Sequence, residues 1–321
     1  MPEQHCDLSV IIPAFQEGDH LYSSIAEIRE AVRQITADYE IIIVDDGSTD
    51  TTWEEIRRLR SAFAEVRGLR LSRNFGKDAA LAAGLAHCVG NAALTLDADL
   101  QHPPSSIAEF YNYWKQGFDI VEGIKANRET EHVIRRSSSK VFNWLSRRYT
   151  GLDLTNSTDF KLLDRKVINA WLQIKERRLF FRGIVAWMGF SRKQLSFDVR
   201  QRAASRSKWS TLSLLQLAIS AVISFSSAPL RIAHHVAAIF ILFAALLGAR
   251  ALYLKLNGTA VDGFTTVIIV LLLNGGLILI VLGIIAEYLA AIYEELKARP
   301  RYFVEDSLSS HDSNVGLDPG R

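Results

Sequence analysis

Two apolar stretches near the carboxyl end restrict the folds open to this chain more than any other feature. Residues from about 232 to 254 and from about 264 to 287 each approach the about 20 apolar residues that a helix needs to cross a hydrocarbon core. Arg250, close to the end of the first, can snorkel to an interface. The connection from Lys255 to Gly263 has room only for a turn, so the pair predicts a helical hairpin. Arg231 before it and Lys297, Arg299 and Arg301 after it put both ends on the cytosolic side by the positive-inside rule. Met1 to Leu8 carry no apolar core of a cleaved leader, which agrees with a cytosolic globular part. Between Thr211 and Ser227, Ser213, Gln216, Ser220, Ser224 and Ser227 recur opposite Leu212, Leu215, Ile219, Val222 and Ile223. That stripe predicts an amphipathic helix lying at the membrane interface and ended by Pro229. Asn274-Gly275-Gly276 in the second apolar run suits close helix packing and leaves self-association open.

The first two hundred residues read differently. Leu8-Ser9-Val10-Ile11-Ile12, stopped by Pro13, and Glu40-Ile41-Ile42-Ile43-Val44 are strand-like runs. Leu21, Ile25, Ile28, Val32 and Ile35 recur between them at helical spacing. Strand, helix, strand makes a βαβ unit and a parallel sheet. Asp50 can cap a helix from Thr51 to Ala64, Leu69 to Leu71 reads as a third strand, and Lys77 to Cys88 as a helix. Ala92 to Leu96 is the fourth strand, a helix runs from Pro103 to about Gln116, and Asp119 to Gly123 is the fifth. The expected fold class is therefore α/β, a mostly parallel sheet with helices on both faces. The stretch after Val304 is polar and reads as a disordered tail.

With 37 Lys and Arg against 35 Asp and Glu, the net charge of +2 argues against a bulk nucleic-acid binder. Cys6 and Cys88 lack metal-ligand spacing and form no disulfide framework. In open sheets of this kind ligands bind beyond the carboxyl ends of the strands. Three loops there carry unusual residues: Pro13 to Glu17, Asp45-Asp46-Gly47-Ser48, and Asp97 to Pro104. No Gly-x-Gly-x-x-Gly follows the first strand, which argues against a nicotinamide-type site. If the strand continues through the third loop, Asp97, Asp99 and Gln101 fall on one side and offer hard oxygen ligands for Mg²⁺ or Mn²⁺. The same residues also suit an acidic turn capping the next helix, and taken alone they leave both readings open.

Val10 to Glu17, Val44 to Asp50, Arg73-Asn74-Phe75-Gly76-Lys77 and Asp97 to Pro103, in this order and spacing, resemble family 2 glycosyltransferases of the GT-A, Rossmann-like fold. The resemblance is to the branch that loads a sugar onto a polyprenyl phosphate, including bactoprenol glucosyltransferases and dolichol-phosphate mannose synthase, and it covers nearly the whole chain. It implies that Pro13, Phe15, Glu17, Asp45, Asp46, Lys77 and Asp97 hold the nucleotide. Asp99 and Gln101, with Asp97, would ligate Mg²⁺ or Mn²⁺, which stabilises the departing diphosphate. Gln16 stands where the family usually has Asn. Asn156 to Arg165 resembles the segment beside the acceptor, with Asp159, placed just before a strand-like run, as base or positioning residue. Lys125, Arg128, Arg135, Arg136 and Ser139 would hold the lipid phosphate. Arg202, Arg206 and Lys208 would fold over the donor diphosphate, with Ser205 where the family has Gly; these cations equally suit a juxtamembrane cluster attracted to anionic lipid.

The resulting expectation is a cytosolic transferase domain over 1–209, an interfacial helix over 210–230, two membrane helices within 231–290 and a cytosolic tail over 291–321. The function it implies is inverting transfer of a sugar to a polyprenyl phosphate such as undecaprenyl phosphate at the cytosolic face of a bacterial inner membrane. UDP-glucose is the favoured donor, because Asp159-Phe160-Lys161 resembles the bactoprenol version; GDP-mannose and a 4-amino-arabinose derivative are the alternatives. A processive polysaccharide synthase is disfavoured by the lack of Gln-x-x-Arg-Trp and of further spanning helices. Intact Asp97, Asp99 and Gln101 count against a non-catalytic nucleotide-sugar scaffold.

Overall fold

The β-branched runs form the strands that their composition predicts. In the computed structural model, which describes residues 6–100, 102–125, 157–176, 180–197, 228–257 and 263–308, the elements follow in βα alternation. They are β1 Leu8–Ala14, α1 Leu21–Arg33, β2 Tyr39–Asp45, α2 Thr52–Ala62, β3 Val66–Leu71, α3 Lys77–His87 and β4 Ala92–Thr95. After a short 3₁₀ turn at Pro104–Ser106 come α4 Ile107–Lys115, β5 Ile120–Lys125, β6 Ser157–Asp164, α5 Arg165–Leu172, α6 Phe181–Trp187 and β7 Arg192–Phe197. Two long helices, α7 Ala228–Leu256 and α8 Phe264–Leu296, precede a last strand, β8 Val304–Leu308.

The strands form one sheet in the order β7-β5-β6-β4-β1-β2-β3-β8. β1 lies between β2 and β4 and is parallel to both, β3 continues the parallel set, and β5 pairs parallel with β7. β6 runs antiparallel between β4 and β5, and β8 runs antiparallel beside β3. Alternate side chains of β1 divide the core between two layers. Leu8, Val10, Ile12 and Ala14 join a cluster with Leu21, Ile25 and Ile28 of α1, Trp53 and Ile56 of α2, and Ile107 and Phe110 of α4. Ile11 faces the other way onto α3, so close that a Cβ on Gly84 would lie 2.3 Å from its Cγ2. The α/β expectation, mostly parallel with helices on both faces, is what the structure contains.

Four local expectations are corrected. The fourth strand ends at Thr95: Leu96 N–H still donates to Ile11 O at 3.2 Å, but the chain then turns, with Leu100 at φ 54°. Strand alternation therefore does not govern Asp97 and Asp99, and Gln101 lies outside the described residues. The helix predicted from Pro103 is a 3₁₀ turn followed by α4. Asp159 does not precede a strand; it sits buried within β6, whose backbone is paired on both sides. The polar stretch after Val304 is not a loose tail through Leu308, because β8 pairs with β3 and closes an otherwise open sheet edge.

The chain divides into two compact units, one holding the sheet with its helices and residues 299–308, the other holding α7 and α8. In the second unit, His235–Leu254 and Val270–Leu296 are long and apolar enough to cross a membrane, with mean hydropathies of 2.1 and 2.4. Their apolar side chains are uncovered, as at Ile241, 70% exposed, and Leu272, 72% exposed. Such a surface is costly in water and suited to lipid. The predicted interfacial helix over 211–227 lies outside the described residues.

Candidate active site

The loops at the carboxyl ends of β1 and β2 are tied to each other by polar side chains. Gln16, at φ 59°, donates its N–H to Ser48 Oγ at 3.0 Å and its side-chain amide to Thr49 Oγ1 at 2.8 Å. Glu17 N–H donates to Thr52 Oγ1 at 3.0 Å, and Gly18 N–H to Asp50 Oδ2 at 3.2 Å. Asp50 also accepts from Thr52 N–H at 3.1 Å; the residue at the cap of α2 is Thr51, so Asp50, expected as the cap, stands one place outside it and clasps the first loop. These bonds leave the Phe15 ring 43% exposed at the sheet edge.

Asp45 and Asp46 are both buried, and they do different things. Asp45 Oδ1 accepts from Ser48 N–H at 2.9 Å, and its Oδ2 lies 3.6 Å from Arg70 Nε. Asp46 Oδ1 and Oδ2 accept from Phe75 N–H at 2.8 Å and Gly76 N–H at 2.9 Å, fixing the loop that leads to Lys77. Burial raises both carboxyl pKa values, opposed by the Ser48 bonds and Arg70 at Asp45 and by the two loop amides at Asp46. Gly47 between this pair and Ser48 adopts φ 67°, and a Cβ there would lie 2.3 Å from the Arg73 carbonyl carbon. Gly47→Ala is expected to cost roughly 2–4 kcal/mol through left-handed strain and overpacking, read as a lower thermal midpoint of the detergent-solubilised chain.

Lys77, first residue of α3, connects the loop bound by Asp46 to the acidic turn and to β6. Its Nζ lies 2.5 Å from Asp97 Oδ1 and 2.7 Å from Asp159 Oδ2. Arg182, in the first turn of α6, grips the same Asp159 with two parallel bonds, Nε to Oδ1 and Nη2 to Oδ2, both 2.7 Å. This is the fork geometry that makes Arg–carboxylate pairs strong and directional. Asp78 accepts the Phe181 N–H at 3.1 Å and so fastens the start of α6 to α3, which brings the two cations to one carboxylate. Phe181, Ile184 and Val185 hold α6 in the core, with the Phe181 ring 5.2 Å from that of Trp171.

The charges of this cluster are mutually fixed. Burial by itself would raise the Asp159 pKa, but the Arg182 bonds and charge, with Lys77, hold it well below the usual carboxylate range. Burial likewise acts to lower the pKa of Lys77 and Arg182, and the carboxylates more than reverse it. Solvent still reaches 40% of the Lys77 side chain and 41% of Arg182, against 9% of Asp159. The carboxylate is thus the buried anchor, and the two cations form the accessible face.

His102 closes the acidic turn. It is buried and stacked on Phe160, the neighbour of Asp159, at 5.0 Å between ring centres, with Phe197 at 5.2 Å. Behind Asp159, Lys161 is ion-paired with Glu122, and Glu122 also accepts from Ser157 and, at 3.4 Å, from Gln194.

Of the residues expected at the site, the structure gathers Asp97, Lys77 and Asp159 into direct contact, with Asp45 and Asp46 in the neighbouring loops. Asp99 lies partly exposed in the turn beside Asp97. Lys125 ends β5, so it does not follow the fifth strand as expected. Gln101, Arg128, Arg135, Arg136, Ser139, Arg202, Arg206 and Lys208 lie outside the described residues. Among the described residues no group of three or more His, Cys, Asp and Glu converges as a metal cage. Sequence reasoning missed Arg182. The available signal was a charge inside the apolar run Phe180-Phe181-Arg182-Gly183-Ile184-Val185, which has to meet a carboxylate if its neighbours are buried.

Comparison with known proteins identifies the class. Residues 9–175 match glycosyl transferase family 2, and the chain belongs to that family. It is 38% identical to an uncharacterized glycosyltransferase of Synechocystis over 94% of this chain and 95% of that protein. It is 34% identical to the undecaprenyl-phosphate 4-deoxy-4-formamido-L-arabinose transferase of Pectobacterium carotovorum, over 95% of this chain and 94% of that one. It is 31% identical to the bactoprenol glucosyl transferase of Shigella phage SfX, over 93% and 98%. Among solved structures, glucosyl-3-phosphoglycerate synthase of Mycobacterium tuberculosis aligns at a TM-score of 0.47 with 17% identity, over 69% of this chain and 80% of that one. The protein is a family 2 glycosyltransferase, and the enzyme class anticipated from the sequence holds.

Proposed function

We propose that this glycosyltransferase moves a single sugar, glucose from UDP-glucose, onto a polyprenyl phosphate such as undecaprenyl phosphate, at the cytosolic face of a bacterial inner membrane. The observation that carries this reading is that the likeness to bactoprenol glucosyl transferase runs over 93% of this chain. That span includes helices apolar enough to sit where a polyprenyl tail must remain.

In this reading the end of β1 from Pro13 and the loop after it to Glu17, with the exposed Phe15 ring, and the Asp45 turn receive the base and ribose. Asp46 holds the next loop so that Lys77 stands beside the diphosphate. An acceptor phosphate oxygen attacks the anomeric carbon, the new C–O bond forms as the bond to the diphosphate breaks, and the nucleoside diphosphate leaves with the electron pair. One in-line displacement inverts the anomeric centre. The attacking phosphate is already largely ionised at neutral pH, so no strong base is needed. Asp159, held as a carboxylate, positions Lys77 and Arg182 rather than taking a proton. Lys125, Arg128, Arg135, Arg136 and Ser139 are assigned to the acceptor phosphate, and Arg202, Arg206 and Lys208 to the donor diphosphate, on the sequence pattern.

Asp97 and Asp99, with Gln101, fit a divalent ion by donor chemistry. Hard carboxylate oxygens from one turn suit Mg²⁺ or Mn²⁺, which commonly take one or two protein carboxylates and fill the rest of their shell with water and substrate phosphate. When bound, such an ion supplies charge neutralisation at the departing diphosphate. Asp99→Asn is expected to abolish transfer while leaving the thermal midpoint near that of the parent; normal turnover of the purified variant with Mn²⁺ present would remove the metal assignment.

A second donor is favoured by one observation, the 34% identity to the formamido-arabinose transferase over 95% of this chain. Supplying labelled UDP-glucose, GDP-mannose and a UDP-4-amino-arabinose derivative in parallel with undecaprenyl phosphate decides between them. Glucose appearing in the lipid phase is the expected result.

A further inference from the structure

The segment that returns from α8 to the sheet reaches two of the loops assigned to the donor, the Asp45 turn by way of Arg70 and the loop before Lys77 by way of Phe75. Ser72 N–H donates to Phe303 O at 3.0 Å, and β8 then pairs with β3 as Leu71 to Val304, Arg70 to Asp306, Leu69 to Ser307 and Gly68 to Leu308. The register skips one residue between the first two of these pairs, so Glu305 is the extra residue of a β-bulge. Bulges bend a strand and re-aim the side chain they carry. Here Glu305 Oε2 lies 3.7 Å from Arg70 Nε. The same Arg70 Nε lies 3.6 Å from Asp45 Oδ2, and Arg70 Nη2 donates to Ser48 O at 3.4 Å. Glu305 therefore reaches an arginine that touches both ends of the Asp45 to Ser48 turn.

The second contact is independent of the first. The Phe303 ring lies 6.3 Å from that of Phe75, with the planes inclined at 51°, and the Arg73 guanidinium stands 4.3 Å over the other partner of this pair, Phe75. Phe75 is the residue whose N–H is bound by Asp46 at 2.8 Å, one step before Gly76 and two before Lys77. One strap thus meets the Asp45 turn through Arg70 and the Asp46-bound loop through Phe75. By contrast Asp306 pairs with Arg57 at 3.1 Å on the exposed face of α2, away from both loops.

We propose that the strap from Phe303 to Glu305 is part of the donor-binding apparatus: Glu305 and Phe303 are positioning residues that set Arg70 and Phe75, and through them the Asp45 turn and the loop before Lys77, both assigned above to the donor nucleotide. This rests on the assignment of those loops to the nucleotide made above. Exposed ion pairs and single ring contacts contribute little to overall stability, so removing them should change the loops' readiness to bind more than the fold.

The test uses the full chain in detergent, with UDP and GDP as calorimetric probes and steady-state kinetics for the donor. The Phe303→Ala/Glu305→Ala double variant is expected to raise the Kd of the nucleotide that the parent binds, and the donor KM with it, by about tenfold, with kcat within about twofold. Asp306→Ala is expected to leave Kd at the parental value. Lys77→Ala serves as the marker of the site itself. If Lys77→Ala weakens nucleotide binding while the double variant does not, the strap proposal is overturned and the donor-site reading stands. If Asp306→Ala weakens binding as much as the double variant, the effect belongs to strand docking in general and the role of Glu305 and Phe303 is overturned. If the parent binds neither nucleotide, or Lys77→Ala binds like the parent, the donor-site reading falls and the strap proposal falls with it.

Discussion

Replacing Asp159 with asparagine should lower sugar transfer at least about 100-fold, because both cations of the site take their position from that one carboxylate. Arg182 loses the matching half of a two-bond fork, and Lys77 keeps only Asp97 at 2.5 Å. Two like charges that had shared one carboxylate are then left with Asp97 on Lys77 alone. The loss should appear mainly in kcat. Arg182→Lys tests the geometry separately from the charge: an ammonium keeps the charge but cannot make the two parallel bonds, so partial activity is expected, above that of Arg182→Ala. An Asp159→Asn enzyme turning over within about threefold of the parent would contradict this account of the cluster. The pH dependence has a definite sign. Because the folded-state pKa of Asp159 lies below its unfolded value of about 3.9, its stabilising effect is complete at neutral pH and is lost only as the pH falls through the folded value. An acid limb of transfer near neutral pH would therefore arise from another group.

The second large effect concerns the polar cluster beneath the site. Lys161 and Glu122 are ion-paired with 2% and 4% of their side-chain surfaces exposed, and Lys161 Nζ also donates to Ser157 Oγ at 3.1 Å. Burial pushes the Lys161 pKa down; burial by itself would raise that of Glu122, but the lysine charge outweighs it and holds the carboxyl low. Removing one partner leaves an uncompensated buried charge, so Lys161→Met should cost about 3–5 kcal/mol. Removing both charges is much less harmful, because apolar groups of similar volume need no partner. The Lys161→Met/Glu122→Leu double variant should regain more than half of the lost stability, measured as the midpoint of thermal unfolding followed by tryptophan fluorescence. A double variant as unstable as the single one would show that the pair's hydrogen bonds, rather than its charges, hold β5 to β6.

Much of the sheet was legible because its strands are unusually pure. Val10, Ile11 and Ile12, and Ile41 to Val44, are fully buried, and buried parallel strands read as continuous β-branched runs. The acidic loops were legible for a related reason: charges placed directly after such runs stand at the sheet's carboxyl edge by topology alone. What the residues did not reveal was pairing. β8 contains Glu305, Asp306 and Ser307 and looks like a solvated tail, yet its membership of the sheet comes from backbone bonds to β3, to which composition is blind. Asp159 was expected ahead of a strand and lies inside one. Its strand also holds Ser157, Thr158 and Lys161, all buried with polar partners across the strands, which hides the apolar signature of an interior strand. The acidic stretch left a strand end and a turn equally open because nothing around Leu100 advertises a left-handed residue; Gly or Asn would have done so. Arg182 was overlooked because its partner lies in β6 and its position depends on Asp78 capturing the start of α6, a contact set by tertiary structure.

The proposed function is transfer of a single sugar from a nucleotide to a membrane-bound phosphate. The most direct measurement incubates the purified full-length chain with radiolabelled UDP-glucose, undecaprenyl phosphate and Mg²⁺ or Mn²⁺, then resolves the lipid phase by chromatography and mass spectrometry. The expected result is one product, undecaprenyl phosphate carrying one hexose, formed with release of UDP and absent for Asp99→Asn. Label recovered as a polymer, or no lipid-linked label with any of the three nucleotide sugars, would contradict it.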